Sequence, residues 1–134
     1  MTEDPWKLCS LDEKKERLTG EPVEYLEFMR LPSLSCGLYR LGKGSDDMQS
    51  PHDDDEVYYV LEGHAMMEIG GERKSVGPGS IVFVGATENH SFFEIDEDML
   101  LLVFFAAASP LVQDSKSRAT RYDRFRREAP NKTP

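Results

Sequence analysis

Two side chains able to hold a metal ion stand four residues apart in Ser50-Pro51-His52-Asp53-Asp54-Asp55-Glu56-Val57-Tyr58-Tyr59-Val60-Leu61-Glu62-Gly63. His52 offers an imidazole nitrogen and Glu56 a carboxylate, both ordinary ligands of divalent metals. Residues at even separations along a strand share a face. Ser50, His52, Glu56 and Tyr58 therefore line one surface, and Val57 and Tyr59 the other. Tyr58 adds a phenol that could donate a hydrogen bond or a proton to a molecule held there. The pattern is a metal site in outline, short of one or two ligands. It needs a scaffold that brings further donors to the same face.

The surrounding chain predicts that scaffold to be β. Short apolar runs recur between turn residues: Val23–Met29, Leu34–Leu41, Val57–Leu61, Ala65–Ile69, Arg73–Val76, Ser80–Val84, His90–Ile95 and Met99–Phe105. Gly70-Gly71-Glu72 reads as a hairpin turn, and Gly77-Pro78-Gly79 as another break. About eight strands at such spacing suit a sandwich or barrel. Ahead of them, Ser10-Leu11-Asp12-Glu13 has the form of a capping box and predicts a short charged helix over Leu11–Leu18. Thr19-Gly20 and Pro22 end it. Three regions follow: an N-terminal extension with this helix at 1–22, a barrel at 23–109, and a basic tail at 110–134.

At 134 residues, 39% hydrophobic and 31% charged, the chain suits one folded domain. No apolar run approaches the roughly 20 residues that span a bilayer, so no membrane partner is expected. Its first residues carry acids and lead into no apolar leader, which makes the cytoplasm the expected location. Cys9 and Cys36 have no metal-like or redox-like spacing and read as reduced thiols. Of the net charge of −9, residues 110–134 contribute +4, with seven Lys/Arg against three acids, which leaves residues 1–109 at −13. An acidic body argues against nucleic acid, whose phosphates demand cations. The tail reads as solvated or laid over the barrel, or else as an arm for an anionic ligand.

With the strands in place, the chain resembles the cupin superfamily, small jelly-roll barrels that hold a divalent metal inside. That family's first motif is G-x5-H-x-H-x3-E-x6-G. Gly44, His52, Glu56 and Gly63 occupy its positions, and Ser50 stands where the first histidine is expected. The second motif is G-x5-P-x-G-x2-H-x3-N. Gly79 opens it and His90 takes the histidine position, while Gly85, Thr87 and Glu94 replace its proline, glycine and asparagine. The resemblance covers residues 23–105. It implies an all-β fold, a double-stranded β-helix or jelly-roll barrel with a short N-terminal helix.

The resemblance also implies a site. His52, Glu56 and His90 would hold a divalent metal ion, Fe, Mn, Zn, Ni or Co, and two histidines with one carboxylate leave open positions. The position of Ser50 would go to water, or to Gln49 or Asp47 through a distorted loop. Asp53-Asp54-Asp55 reads as a solvated loop at the barrel mouth, His64 as pointing outward, and Arg40 as a surface residue or an anchor for an anionic substrate. Two functions follow. One is a metal-dependent, dioxygenase-like enzyme acting on a small organic molecule, with Tyr58 as a catalytic donor. The other is a non-catalytic module that binds or senses a small ligand. A homodimer is expected, through Val23–Met29 and Leu100–Phe105.

Overall fold

The structure, a computed structural model, describes residues 5–47 and 53–107. Ser50, Gln49, His52 and the tail at 110–134 lie outside the described residues. After one short helix, α1 (Leu11–Glu16), come eight strands: β1 (Val23–Arg30), β2 (Leu34–Leu41), β3 (Asp54–Glu62), β4 (Ala65–Ile69), β5 (Glu72–Val76), β6 (Ile81–Val84), β7 (His90–Phe93) and β8 (Met99–Ala107). They form two antiparallel sheets, β1-β2-β8-β3-β6 and β5-β4-β7. This is the all-β architecture that the spacing of apolar runs predicts, with the two sheets of the jelly roll that the resemblance implies.

Alternation along each strand decides what enters the space between the sheets. On β3, Asp54, Glu56, Tyr58 and Val60 are buried, while Tyr59 is exposed. On β8, Leu101, Val103 and Phe105 turn inward, where they meet Tyr39, Leu41, Met67, Val84 and Phe92 in one core. Each fully buried aromatic or aliphatic side chain contributes about 1.5–3 kcal/mol relative to exposure. The acidic run therefore does not behave as a solvated loop. Asp54 and Asp55 belong to β3, Asp54 is buried, and Asp55 Oδ1 accepts from the Ala86 N–H at 3.0 Å. Only Asp53 fits the sequence expectation, because the strand's alternation overrides the charge of the run.

The turns explain where strands stop. Gly70 and Gly71 have φ of 56° and 84° and join β4 to β5, the left-handed pair a two-residue hairpin demands. Gly63 has φ 94°, and a Cβ there would overlap the Asp98 carbonyl oxygen and sit 2.7 Å from Met99 Cα. Close backbone approach thus requires glycine at the end of the first motif. Helix α1 is shorter than the sequence predicts. Ser10 Oγ accepts the Glu13 N–H at 3.3 Å, but Arg17 and Leu18 already close back on Lys14 and Lys15. Glu13 pairs with Lys14 and Arg17, and Lys15 reaches Glu62 at 2.7 Å, which ties α1 to the outside of the barrel.

Two departures from the second motif fall at strained backbone. Thr87 has φ 67° and Glu94 φ 48°, the described non-glycine residues in the left-handed region. These are the places where the pattern has glycine and asparagine, the residues that tolerate this conformation. Thr87→Gly and Glu94→Asn should each raise stability by about 0.5–1 kcal/mol. Urea denaturation checks this, with an unchanged slope and a higher midpoint as the expected result.

Candidate metal centre

The two sheets bring the candidate residues together from opposite sides. Glu56 projects inward from β3 of the larger sheet, and His90 from β7 at the edge of the smaller one. His90 Nε2 lies 3.3 Å from Glu56 Oε1, with side chains only 1% and 0% exposed. His90 Nδ1 lies 2.9 Å from the Glu88 carbonyl oxygen, which can only accept. The proton therefore sits on Nδ1, and in the neutral ring the Nε2 lone pair faces the carboxylate.

Two electron-rich atoms at that distance, away from water, repel unless a cation lies between or beside them. A proton on Nε2 is one solution. Burial disfavours charge on His90, but the hydrogen bond and charge of Glu56, the Glu88 carbonyl and the charge of Asp47 together outweigh it, so the pKa is raised above 6.5. A divalent ion is the other. Two ligand atoms each about 2.1 Å from one ion stand about 3.0–3.4 Å apart for octahedral to tetrahedral angles. The observed separation, the Nε2 turned toward Glu56 and the carbonyl on Nδ1 all fit a metal ligand held by an outer hydrogen bond.

Tyr58 joins this cluster. It is fully buried, its ring centroid 6.0 Å from that of His90 and 5.0 Å from that of Phe92, edge to face. Burial first, then the charges of Glu56 and Asp47 and a hydrogen bond to Glu56, hold its phenol well above the ordinary 10. Tyr58 is thus a proton-bearing donor near neutrality and cannot serve as a base there. Among the described residues no three His, Cys, Asp or Glu side chains converge as a metal-holding group, and His52, the third expected ligand, lies outside them.

Asp47 is one of the candidates for the position of Ser50. Its carboxylate is buried, with Oδ1 accepting from Tyr39 Oη at 2.8 Å and Oδ2 from the Phe92 N–H at 3.0 Å. Tyr39, a core residue on β2, is a hydrogen-bond donor that the sequence reading does not single out, and Asp54, read there as part of a solvated loop, is buried. Parity with Glu56 is the signal that could have found Asp54. Arg40 lies at the rim of an open cavity of about 290 Å³ lined also by Lys15, Glu62 and Asp98. Its guanidinium binds Asp98 at 3.4 Å and the Glu21 carbonyl at 3.2 Å, outside the barrel interior. His64 is likewise outside, more than half exposed and 2.8 Å from Glu97.

The cupin domain family matches residues 37–105, just over half of the chain. The chain belongs to the cupin family. An uncharacterized protein of Streptomyces coelicolor is 41% identical over 100 residues, covering 75% of this chain and 95% of that one. The structure of TT1209 from Thermus thermophilus superposes with a TM-score of 0.66 at 27% identity, over 76% of this cupin and 98% of that chain. KdgF from a Halomonas species (TM-score 0.61, 18% identity, 70% and 86% coverage) and the DMSP lyase DddQ from Ruegeria pomeroyi (0.61, 20%, 73% and 54%) share the fold. No helix among the described residues is long and apolar enough to cross a membrane.

The raised pKa of His90 has a sign that can be tested. A base held above its unfolded pKa stabilises the fold below about 6.5 and loses that contribution as pH rises through the raised value. The metal-free protein should therefore lose thermal stability as pH rises from about 6 through that value. Divalent-ion affinity should increase over the same window, because the imidazole binds as the neutral ring. Thermal melts against pH, with chelator and with added zinc, check both slopes.

Proposed function

We propose that this cupin binds a divalent metal, Fe, Mn, Zn, Ni or Co, and works as a metal-dependent, dioxygenase-like enzyme on a small organic molecule inside the barrel. The observation that carries the reading is the buried Glu56–His90 pair, whose facing Oε1 and Nε2 are spaced as two ligands of one ion would be. His52, four residues before Glu56 on the same strand parity, would be the third ligand. These two histidines and one carboxylate would hold the ion, which would supply a Lewis-acidic centre open to a bidentate substrate and dioxygen.

The chain's own side chains have definite parts in that scheme. The Glu88 carbonyl keeps the His90 ring oriented, with Nε2 toward Glu56. Tyr58, held in its protonated form, would donate a hydrogen bond or a proton to a developing negative charge on the substrate. Serine at position 50 would leave to substrate or water a place that a histidine fills in the family pattern. Elemental analysis of protein purified without added metal or chelator should find about one divalent ion per chain. The ion should be lost in His52→Ala and His90→Ala. Oxygen consumption with small bidentate oxygen-donor acids should disappear in a folded His90→Ala variant, and its survival there would refute the mechanism.

A second reading is a non-catalytic module that binds a small ligand. It is favoured by Ser50 in place of the first motif's histidine and by Gly85, Thr87 and Glu94 in the second motif. A ligand that raises the melting temperature with no product formed would support it.

We also propose a homodimer. β8 lies in the middle of the larger sheet, so Leu100–Phe105 has no free edge for strand pairing, and β1 and β6 are the edges. β6 carries Ile81 and Phe83, 73% and 64% exposed. Sedimentation velocity at micromolar concentration should give twice the chain mass, and a monomer there would exclude the dimer.

A further inference from the structure

β7 is a four-residue strand at the end of its sheet, and His90 is its first residue. β4 pairs with one side of β7, Met67 opposite Phe92 and Ile69 opposite His90. No strand among the described residues pairs with its other side. A short edge strand held from one side frays, and a ligand at its first residue would move with it. Here the second side is held by a side chain. Asp47 Oδ2 accepts the Phe92 N–H at 3.0 Å, two residues beyond His90, and Oδ1 accepts from Tyr39 Oη at 2.8 Å. Tyr39 belongs to β2 of the opposite sheet and is buried at 2% exposure. A second tie nearby, Gly44 N–H to the Ile95 carbonyl at 3.0 Å, runs between the same two chain segments.

We infer that Asp47 is a positioning residue for the His90–Glu56 pair, a carboxylate clamp that replaces a missing strand on the open side of β7 and anchors it to the opposite sheet through Tyr39. Both Asp47 oxygens act as acceptors, one from a main-chain N–H fixed in the strand and one from a hydroxyl that can rotate. Asparagine can keep both contacts, with its oxygen toward Phe92 N–H and its NH2 toward Tyr39 Oη. Alanine can keep neither. Asp47→Asn and Asp47→Ala therefore separate the clamp's geometry from its charge. Val76→Ala, which opens a cavity in the core at β5 opposite Ala65, supplies a control that destabilises the fold away from the clamp.

The first measurement needs no metal. In metal-free protein, ¹H–¹⁵N spectra of the imidazoles should show a slowly exchanging Nδ1–H for His90, bonded to the Glu88 carbonyl and assigned by its absence in His90→Gln. The signal should persist in Asp47→Asn and in Val76→Ala, and vanish in Asp47→Ala at a temperature where that variant is still folded. Its persistence in Asp47→Ala, or its loss in Val76→Ala as well, would overturn the inference. The second measurement rests on the metal reading above. Titration with Co(II), followed by its visible spectrum, should give an affinity about 10-fold or more weaker in Asp47→Ala and near wild type in Asp47→Asn. Equal affinity in wild type and Asp47→Ala overturns the clamp. A wild-type protein that takes up no Co(II) removes the metal reading instead, and the imidazole spectra still decide the role of Asp47.

Discussion

A carboxylate and an imidazole facing each other inside a small barrel constrain everything around them. Glu56 and His90 are removed from water, and an ionised carboxylate placed there is costly unless something positive answers it. The molecule answers with a raised His90 pKa, a ring locked by the Glu88 carbonyl, and a neutral Tyr58 at the same face. Each is a way of compensating one buried negative charge. Were the cluster only a polar flaw in the core, packed apolar residues of similar volume would serve the fold at least as well. Keeping three oriented polar side chains together is consistent with a site.

The architecture serves this cluster by setting two sheets against each other. β3 and β7 have no direct pairing, so their inner faces look across the interior, and Glu56 on one meets His90 on the other. The larger sheet is well supported, with β3 and β2 both flanking β8 along most of its length. The smaller sheet is less so, and its free edge is the one that carries His90. Asp47 reinforces that edge from a loop, not from a strand, with Oδ2 accepting the Phe92 N–H where a strand would have offered a main-chain carbonyl and Oδ1 tied to Tyr39.

Departures from the family's second motif show what can be varied. Gly85, Thr87 and Glu94 replace proline, glycine and asparagine, and β7 still pairs in register with β4. The cost is local, because Thr87 and Glu94 adopt positive φ that their side chains disfavour. The turn geometry around β7 is thus imposed by the sheets and not by the turn residues.

The strands, their alternation and the hairpin at Gly70–Gly71 were legible in the sequence, because period-2 burial and left-handed turns leave direct marks in residue type. The parity of Glu56 and Tyr58 in the strand was legible for the same reason, and His90 entered through the family pattern. Asp54 reads as solvent-facing when composition is weighed above parity, although alternation decides which neighbour in a charged run is buried. Helix α1 ends early because its closing bonds depend on the local path toward the barrel, which propensity does not encode. What only the tertiary structure decided is how distant residues meet. Nothing in the spacing from Glu56 to His90 says that one oxygen and one nitrogen stop 3.3 Å apart, or that Asp47 spans from Tyr39 to Phe92. Those distances come from sheet packing and register, which are properties of the whole chain and not of any segment of it.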